Sequence, residues 1–328
     1  MPYPSSFFIA VLCLFVPVFH GCTQASPETQ KTKHLERAAG YMEKGQLQEA
    51  LIEYMNVTKA DPDNAEAYYQ MALIHLKLGG NTNIQKAFAE LRRTLEINKN
   101  NRDAQLKISE IYLLGKEPAK AREQADIILA SAPDDQEALI IRGRSLINEK
   151  RHQDGIAELK KALARDPQQT GIYLEISRAY FFANDRAAAE ETLRQGLSAI
   201  PKSPDLMLAL GDFYLSTGKP NLAETTYKQL TDTAPNDEAA QLRLIDFYRR
   251  TNKLAEAEST MQKWASAYPQ DERPYIHLGD LYHWIGNRDK ALASYRQAET
   301  LNAKSLIARD KLTALYLDTG NLGEAEPR

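Results

Sequence analysis

The chain has 328 residues, 43% hydrophobic and 26% charged, with only 16 glycines, 9 phenylalanines and 2 tryptophans. Helix formers dominate and continuous β-branched runs are missing, so the expected fold class is all-α. With 41 basic and 44 acidic residues and a formal charge of −3, there is no general attraction to a phosphate backbone, and a nucleic-acid partner is not expected.

The first residues stand apart from the rest. Phe7 to Phe19 form an apolar run of 13, followed by Gly21, Cys22 and a polar stretch. That run is too short for a mature membrane helix and fits the h-region of an export signal. Gly21 directly before Cys22 looks like a bacterial lipobox, although Phe19 and His20 stand where Leu and a small residue are usual. This resemblance implies residues 1–21 as a signal peptide, Cys22 as a lipidated N-terminus and 22–30 as a polar tether. Cys13 leaves with such a signal, so Cys22 is left as the one mature cysteine and no internal disulfide forms. An envelope location follows, with Thr23 after the cysteine implying the outer membrane, facing the periplasm.

Beyond residue 30 a fixed interval governs the sequence. Prolines at 133, 167, 201, 235 and 269 are 34 apart, and Pro62 lies one interval plus three residues earlier. The extra three are expected in the turn Gly79 to Asn83, where an insertion costs little. An Ala or Gly column (Ala50, Ala87, Ala121, Gly155, Ala189, Ala223, Ala257, Ala291) keeps the same step. So do a mostly small column (Ala38, Ala72, Ser109, Gly143, Ser177, Gly211, Gly279) and a tyrosine column (Tyr41, Tyr112, Tyr180, Tyr214, Tyr248, Tyr282, Tyr316).

Apolar residues recur every three or four within each half-interval, so each interval is a pair of amphipathic helices. Gly45, Asn184, Gly218, Asn252 and Gly286 are placed to end the first helix in a left-handed conformation. Asp, Asn or Ser after most of these prolines is placed to cap the next helix. Small residues in both helices let the backbones approach closely, and stacking on neighbours buries the face that one pair leaves open.

These columns resemble the tetratricopeptide repeat over residues 31–328. Eight full units are expected over 31–305, starting at Lys31, Ala65, Arg102, Gln136, Thr170, Pro204, Glu238 and Glu272. A ninth, 306–328, stops within its second helix. The resemblance implies a right-handed superhelical solenoid of antiparallel helix pairs.

Motifs for chemistry are lacking: no Gly-rich phosphate loop, no paired-Cys spacing, no His-Glu-x-x-His. No catalytic residue, metal, cofactor or small-molecule substrate is expected. His277, Asp280 and His283 form the densest histidine cluster, but the two histidines sit about 120° apart around a helix.

Positions 5, 9 and 12 of each unit lie within about 60° on the first helix, the face that lines the concave groove in tetratricopeptide proteins. Position 5 includes Leu208, Leu242 and Ile276, and position 12 includes Arg249 and His283. Position 9 runs Arg144, Arg178, Asp212, Asp246, Asp280. Slots about 10 Å apart are too distant for carboxylates to share one cation but suit an extended peptide. The expected site is therefore a protein-binding groove with a basic patch at Arg144 and Arg178 and an acidic stripe at Asp212, Asp246 and Asp280.

The layout is similar to envelope tetratricopeptide lipoproteins of Gram-negative bacteria, in particular those accompanying exosortase and exopolysaccharide export systems. That similarity implies a non-catalytic, lipid-anchored scaffold for protein partners in an export or assembly machine. Two alternatives stay open. One is a pilus or outer-membrane-protein assembly lipoprotein. The other is the arm of a longer, enzyme-bearing polypeptide, since the ninth unit ends unfinished.

Overall fold

The computed structural model describes residues 27–318, so the signal, Cys22 and the end of the ninth unit lie outside the described residues. Seventeen helices occur among the described residues, and no strand. They are α1 (Pro27–Glu43), α2 (Leu47–Ala60), α3 (Ala65–Leu78), α4 (Asn81–Ile97), α5 (Arg102–Leu114) and α6 (Pro118–Ser131). Then come α7 (Gln136–Asn148), α8 (His152–Arg165), α9 (Thr170–Phe182), α10 (Arg186–Ala199), α11 (Pro204–Ser216) and α12 (Pro220–Thr233). The last are α13 (Glu238–Arg250), α14 (Leu254–Ala267), α15 (Arg273–Trp284), α16 (Arg288–Leu301) and α17 (Leu306–Asp318).

Chain punctuation explains this order. The first helix of each pair ends on a residue with positive φ: Gly45 (70°), Asn184 (62°), Gly218 (74°), Asn252 (58°) and Gly286 (77°). There the turn closes back on the helix, as when the Lys219 amide donates to the Tyr214 carbonyl at 2.8 Å. Asn64, Asp135 and Asp237 then accept the amide three residues on, at 2.9, 3.0 and 2.8 Å. These caps satisfy donors that a helix start otherwise leaves orphaned.

Two expectations change here. Helix α1 begins at Pro27, so the last residues of the expected tether are helical. Proline fits the first helical turn, and Lys31 ties that turn to Glu28 (2.9 Å) and Asp61 (3.3 Å). The three inserted residues after Leu78 are also not in the turn. Gly79 and Gly80, at φ 67° and 82°, complete it in two residues. Asn81 then opens a helix of 17 residues where the other second helices have 14.

The chain divides into two compact units between Ile111 and Tyr112, inside α5. In the first, Ala38, Ala50, Tyr54, Val57, Ala67, Met71 and Ile74 form a buried cluster. In the second, a longer cluster runs from Tyr173 through Leu206, Tyr214, Tyr227, Phe247, Tyr248 and Met261 to Tyr316. Small residues permit the tightest crossings. A Cβ on Gly143 would lie 3.0 Å from the Gly155 carbonyl oxygen, so α7 and α8 meet almost backbone to backbone. The two columns picked out by the 34-residue interval are those contact points.

Candidate functional site

The first-helix face of the second unit brings position 9 of one repeat beside position 6 of the next. Arg144 reaches Glu175 at 2.6 Å, Asp212 lies 3.8 Å from Arg243, and Lys311 reaches Asp280 at 2.7 Å. All of these side chains keep more than a fifth of their surface in water, so each pair is worth well under 1 kcal/mol, about the median for such contacts. The charges alternate across repeats and largely neutralise one another.

Two of the three aspartates have a second, internal partner. The Tyr227 hydroxyl donates to Asp212 at 2.6 Å and the Tyr295 hydroxyl donates to Asp280 at 2.7 Å. Each tyrosine comes from the second helix of the same repeat, 15 residues on, and its ring passes over the preceding glycine, Gly211 or Gly279. Burial and the adjacent carboxylate both hold these two phenols well above the ordinary range. Asp246 has no such phenol, because Met261 stands where the tyrosine would be, and its nearest cation is Arg250 at 4.0 Å. The three aspartates therefore share one slot but not one environment.

The remaining groove residues are distributed unevenly. Arg178 is exposed and has no ion-pair partner among the described residues, whereas Arg144 is engaged with Glu175. Leu208 and Leu242 are half-buried. Ile276 departs from the expected groove: it is 6% exposed and packs on Ala298 and Ala308, because α17 closes over it. Arg249 is exposed and lies over the Trp284 ring at 5.1 Å. His283 is exposed, with Asp318 at 3.8 Å. The partner of His277 is neither Asp280 nor His283: its Nε2 donates to Glu238 at 2.8 Å and its ring stacks on Trp264. Among the described residues no group of three or more His, Cys, Asp or Glu is placed to hold a metal.

A second ladder runs along the edge of the same stack. Tyr214, Tyr248 and Tyr282 each send their hydroxyl to a glutamate of the preceding repeat: Glu190 at 3.1 Å, Glu224 at 3.3 Å and Glu258 at 2.5 Å. A lysine closes each bridge, with Lys219 on Glu190 and Lys253 on Glu224 at 2.6 Å, and Lys290 on Glu258 at 3.4 Å. Lys228 and Lys253 hold the Glu224 carboxyl down at about 2. Burial, then Glu258, pushes the Tyr282 phenol up to about 12. The sequence carried a plain signal for this ladder, since the three glutamates are themselves 34 residues apart.

Family models for the TPR repeat match residues 40–79, and models for the tetratricopeptide repeat match 114–170, 146–206, 185–242, 215–278 and 272–305. The rat DnaJ homolog subfamily C member 3 (Rattus norvegicus) is 30% identical over 105 residues, 32% of this chain and 20% of that protein. The Bos taurus form is 29% identical over the same length. The chain thus spans about a fifth of the length of the curated relatives it matches. Among solved structures it is similar to PilW, described as a widely conserved type IV pilus biogenesis factor, with a TM-score of 0.54 and 23% identity over 65% of this chain and 98% of that one. The C-terminal part of a TPR repeat-containing protein from Cytophaga hutchinsonii gives a TM-score of 0.52 at 14% identity, over 84% and 98% of the two chains. At these identities the likeness is one of fold.

Proposed function

We propose, from the premise that this chain belongs to the tetratricopeptide repeat family, that it is a non-catalytic scaffold holding a protein partner on the first-helix face of its second unit. The observation that carries the reading is the open part of that face. Arg178 and Asp246 are the charges least engaged within the fold, and the half-buried Leu208 and Leu242 lie between them in sequence. An extended peptide with apolar side chains and a few matching charges fits such a row, one contact per repeat.

The finer reading is a lipid-anchored envelope protein, tethered through Cys22 and serving an export or assembly machine of exopolysaccharide or protein-sorting type. It is supported by the apolar run before Gly21-Cys22 and by the sequence layout. A pilus or outer-membrane-protein assembly role is the second reading, favoured by the fold-level similarity to PilW.

The test is affinity capture of the tagged chain from detergent-solubilised envelopes, beside an Arg178→Glu/Asp246→Lys variant. Asp212 and Asp280 are unsuitable targets, because removing either leaves a buried phenol without its acceptor, at a cost of about 1–3 kcal/mol. A partner recovered by the wild type and lost with the variant supports the face, and its identity separates sorting, polysaccharide export and pilus assembly. Equal recovery from both refutes the face. Labelled fatty acid that enters the wild type and also the Cys22→Ala variant refutes the anchor.

A further inference from the structure

The turns that join the first and second helix of each repeat form one edge of the second unit, and two successive turns on it differ from the rest. Elsewhere the left-handed position is Gly or Asn, but in the turns after α5 and α7 it is Lys116 (φ 59°) and Lys150 (φ 67°). A lysine is strained there, since its Cβ crowds the following carbonyl. The fold does not require it, because a Gly or Asn closes the same turn in five other repeats. Strain retained in this way is a pointer to a role beyond folding.

Both lysines are exposed, and neither has an ion-pair partner among the described residues; the same holds for Arg186, in the first turn of α10. Interleaved with these cations are two apolar side chains held out in water, Leu114 at 74% exposed and Phe182 at 70%. This edge also bears Glu117, Glu149, Asp154 and Asp185, but each is engaged within the fold, by Lys120, Arg122, Arg151 and the Ala188 amide in turn, which leaves the three unpaired cations in excess. The opposite edge, made by the turns between repeats, carries Asp134, Asp135, Asp166 and Asp237.

We propose that the edge formed by Leu114, Lys116, Lys150, Phe182 and Arg186 docks on the surface of an anionic lipid bilayer. Unpaired cations beside exposed apolar side chains are what such a surface recognises: the charges sit among anionic headgroups while Leu and Phe enter the acyl boundary. An acidic peptide would account for the cations but would leave Leu114 and Phe182 in water. The docking depends neither on a lipid at Cys22 nor on the partner face, which involves other residues. It would hold the stack with one chosen edge toward the membrane.

The experiment is hydrogen exchange of the full chain, read by mass spectrometry, with phosphatidylcholine vesicles containing or lacking phosphatidylglycerol. The apolar N-terminal run meets both kinds of vesicle, so the difference between them reports the edge. Exchange is expected to slow at 113–118, 147–152 and 181–186 on anionic vesicles only, with 132–135 and 166–169 unchanged. Each cation contributes about fivefold in partitioning near an anionic surface, so loss of the three weakens the effect on the order of a hundredfold, and the carboxylates added by Lys116→Glu/Lys150→Glu/Arg186→Glu weaken it further. All three side chains are exposed, and circular dichroism checks that this variant keeps its helices.

Equal slowing on neutral vesicles, or slowing that survives the triple reversal, overturns the proposal. Protection by a poly-glutamate peptide with none from vesicles assigns the edge to an acidic protein instead. Protection that grows with protein concentration in the absence of lipid assigns it to a second copy of the chain.

Discussion

Replacing Gly211 by alanine sets two effects of known sign against each other. In an open helix the change gains about 0.5–1 kcal/mol, because alanine loses less backbone freedom on folding. Here the new Cβ would fall 2.7 Å from Cδ1 and 3.0 Å from Cζ of Tyr227, and nearer still to Cε1. Ordinary contact begins near 3.4 Å, so the ring must retreat by much of an ångström. It has nowhere to go: Tyr227 is fully buried, lies against Phe247 at 5.8 Å between ring centres, and is held by its hydroxyl to Asp212. Overpacking of this kind costs about 1–3 kcal/mol, which wins, for a net loss of about 1–2 kcal/mol.

The chain contains its own control. One repeat later the same two positions are Ile245 and Met261, both buried in the same cluster, so the slot accepts a branched side chain when the phenol is absent. The Gly211→Ala/Tyr227→Met double variant should therefore be more stable than the two single losses added together, by about 1–2 kcal/mol of coupling. Gly40→Ala, with nothing within 4 Å of its Cβ, should gain about 0.5 kcal/mol. The assay is urea unfolding followed by circular dichroism and by the fluorescence of buried Trp264. Strict additivity, or a stabilising Gly211→Ala, would refute the close-approach reasoning.

Glu224 contributes to acid sensitivity, beside Glu190 and Glu258, whose carboxyls are also held down. Its carboxyl is depressed to about 2, so the bridge to Lys228 and Lys253 is fully stabilising above about pH 4.5 and is lost as pH falls toward 2. The shift corresponds to about 3 kcal/mol at most, and the half-exposed lysines screen it to about 1.5; Glu224→Gln should remove that part of the slope between pH 5 and 2, seen by acid titration of the helical signal. Lys150→Gly should raise the urea midpoint, by about 1 kcal/mol from relieving the left-handed strain, and an unchanged or lower midpoint would show that the turn is not strained. Tyr295→Phe should cost about 1 kcal/mol, the net worth of a hydrogen bond to a partly solvated carboxylate; a loss as large as that of Tyr295→Ala would mean that the hydroxyl, not the ring, holds the crossing.

The repeat was legible because its signals are local. A proline or a left-handed Gly or Asn fixes where a helix stops, and helices begin at Ala65, Arg102, Gln136, Thr170, Pro204, Glu238 and Leu306. What stayed hidden depended on pairs. That Asp212 and Asp280 answer to Tyr227 and Tyr295 requires two helices to be crossed at a known angle, and the 15-residue offset has no meaning until they are. Ile276 read as groove because its column is apolar in every repeat, yet the fold buries one member against α17 and leaves Leu208 and Leu242 half open. The lysines at 116 and 150 were visible as gaps in the Gly/Asn column, but only the positive φ shows that they replace glycine rather than end the pattern.

Repetition also makes this chain an internal substitution series, which limits what the aspartate column can be. If Asp at position 9 served only the buried phenol, it would have no reason to persist at Asp246, where Met261 offers no hydroxyl. If it served only a ligand, the tyrosines at Asp212 and Asp280 would not need to reach it at hydrogen-bond distance. Both demands on one slot explain the pattern: two aspartates committed to the crossing, and one, Asp246, free of any phenol and facing only Arg250 at 4.0 Å. The free one is where a partner meets least competition. On Asp246, charge removal should change binding without changing stability; on Asp212 and Asp280 it should change stability first. Measuring both quantities for the three Asp→Asn variants separates the roles, and a uniform response across the column would sink the division.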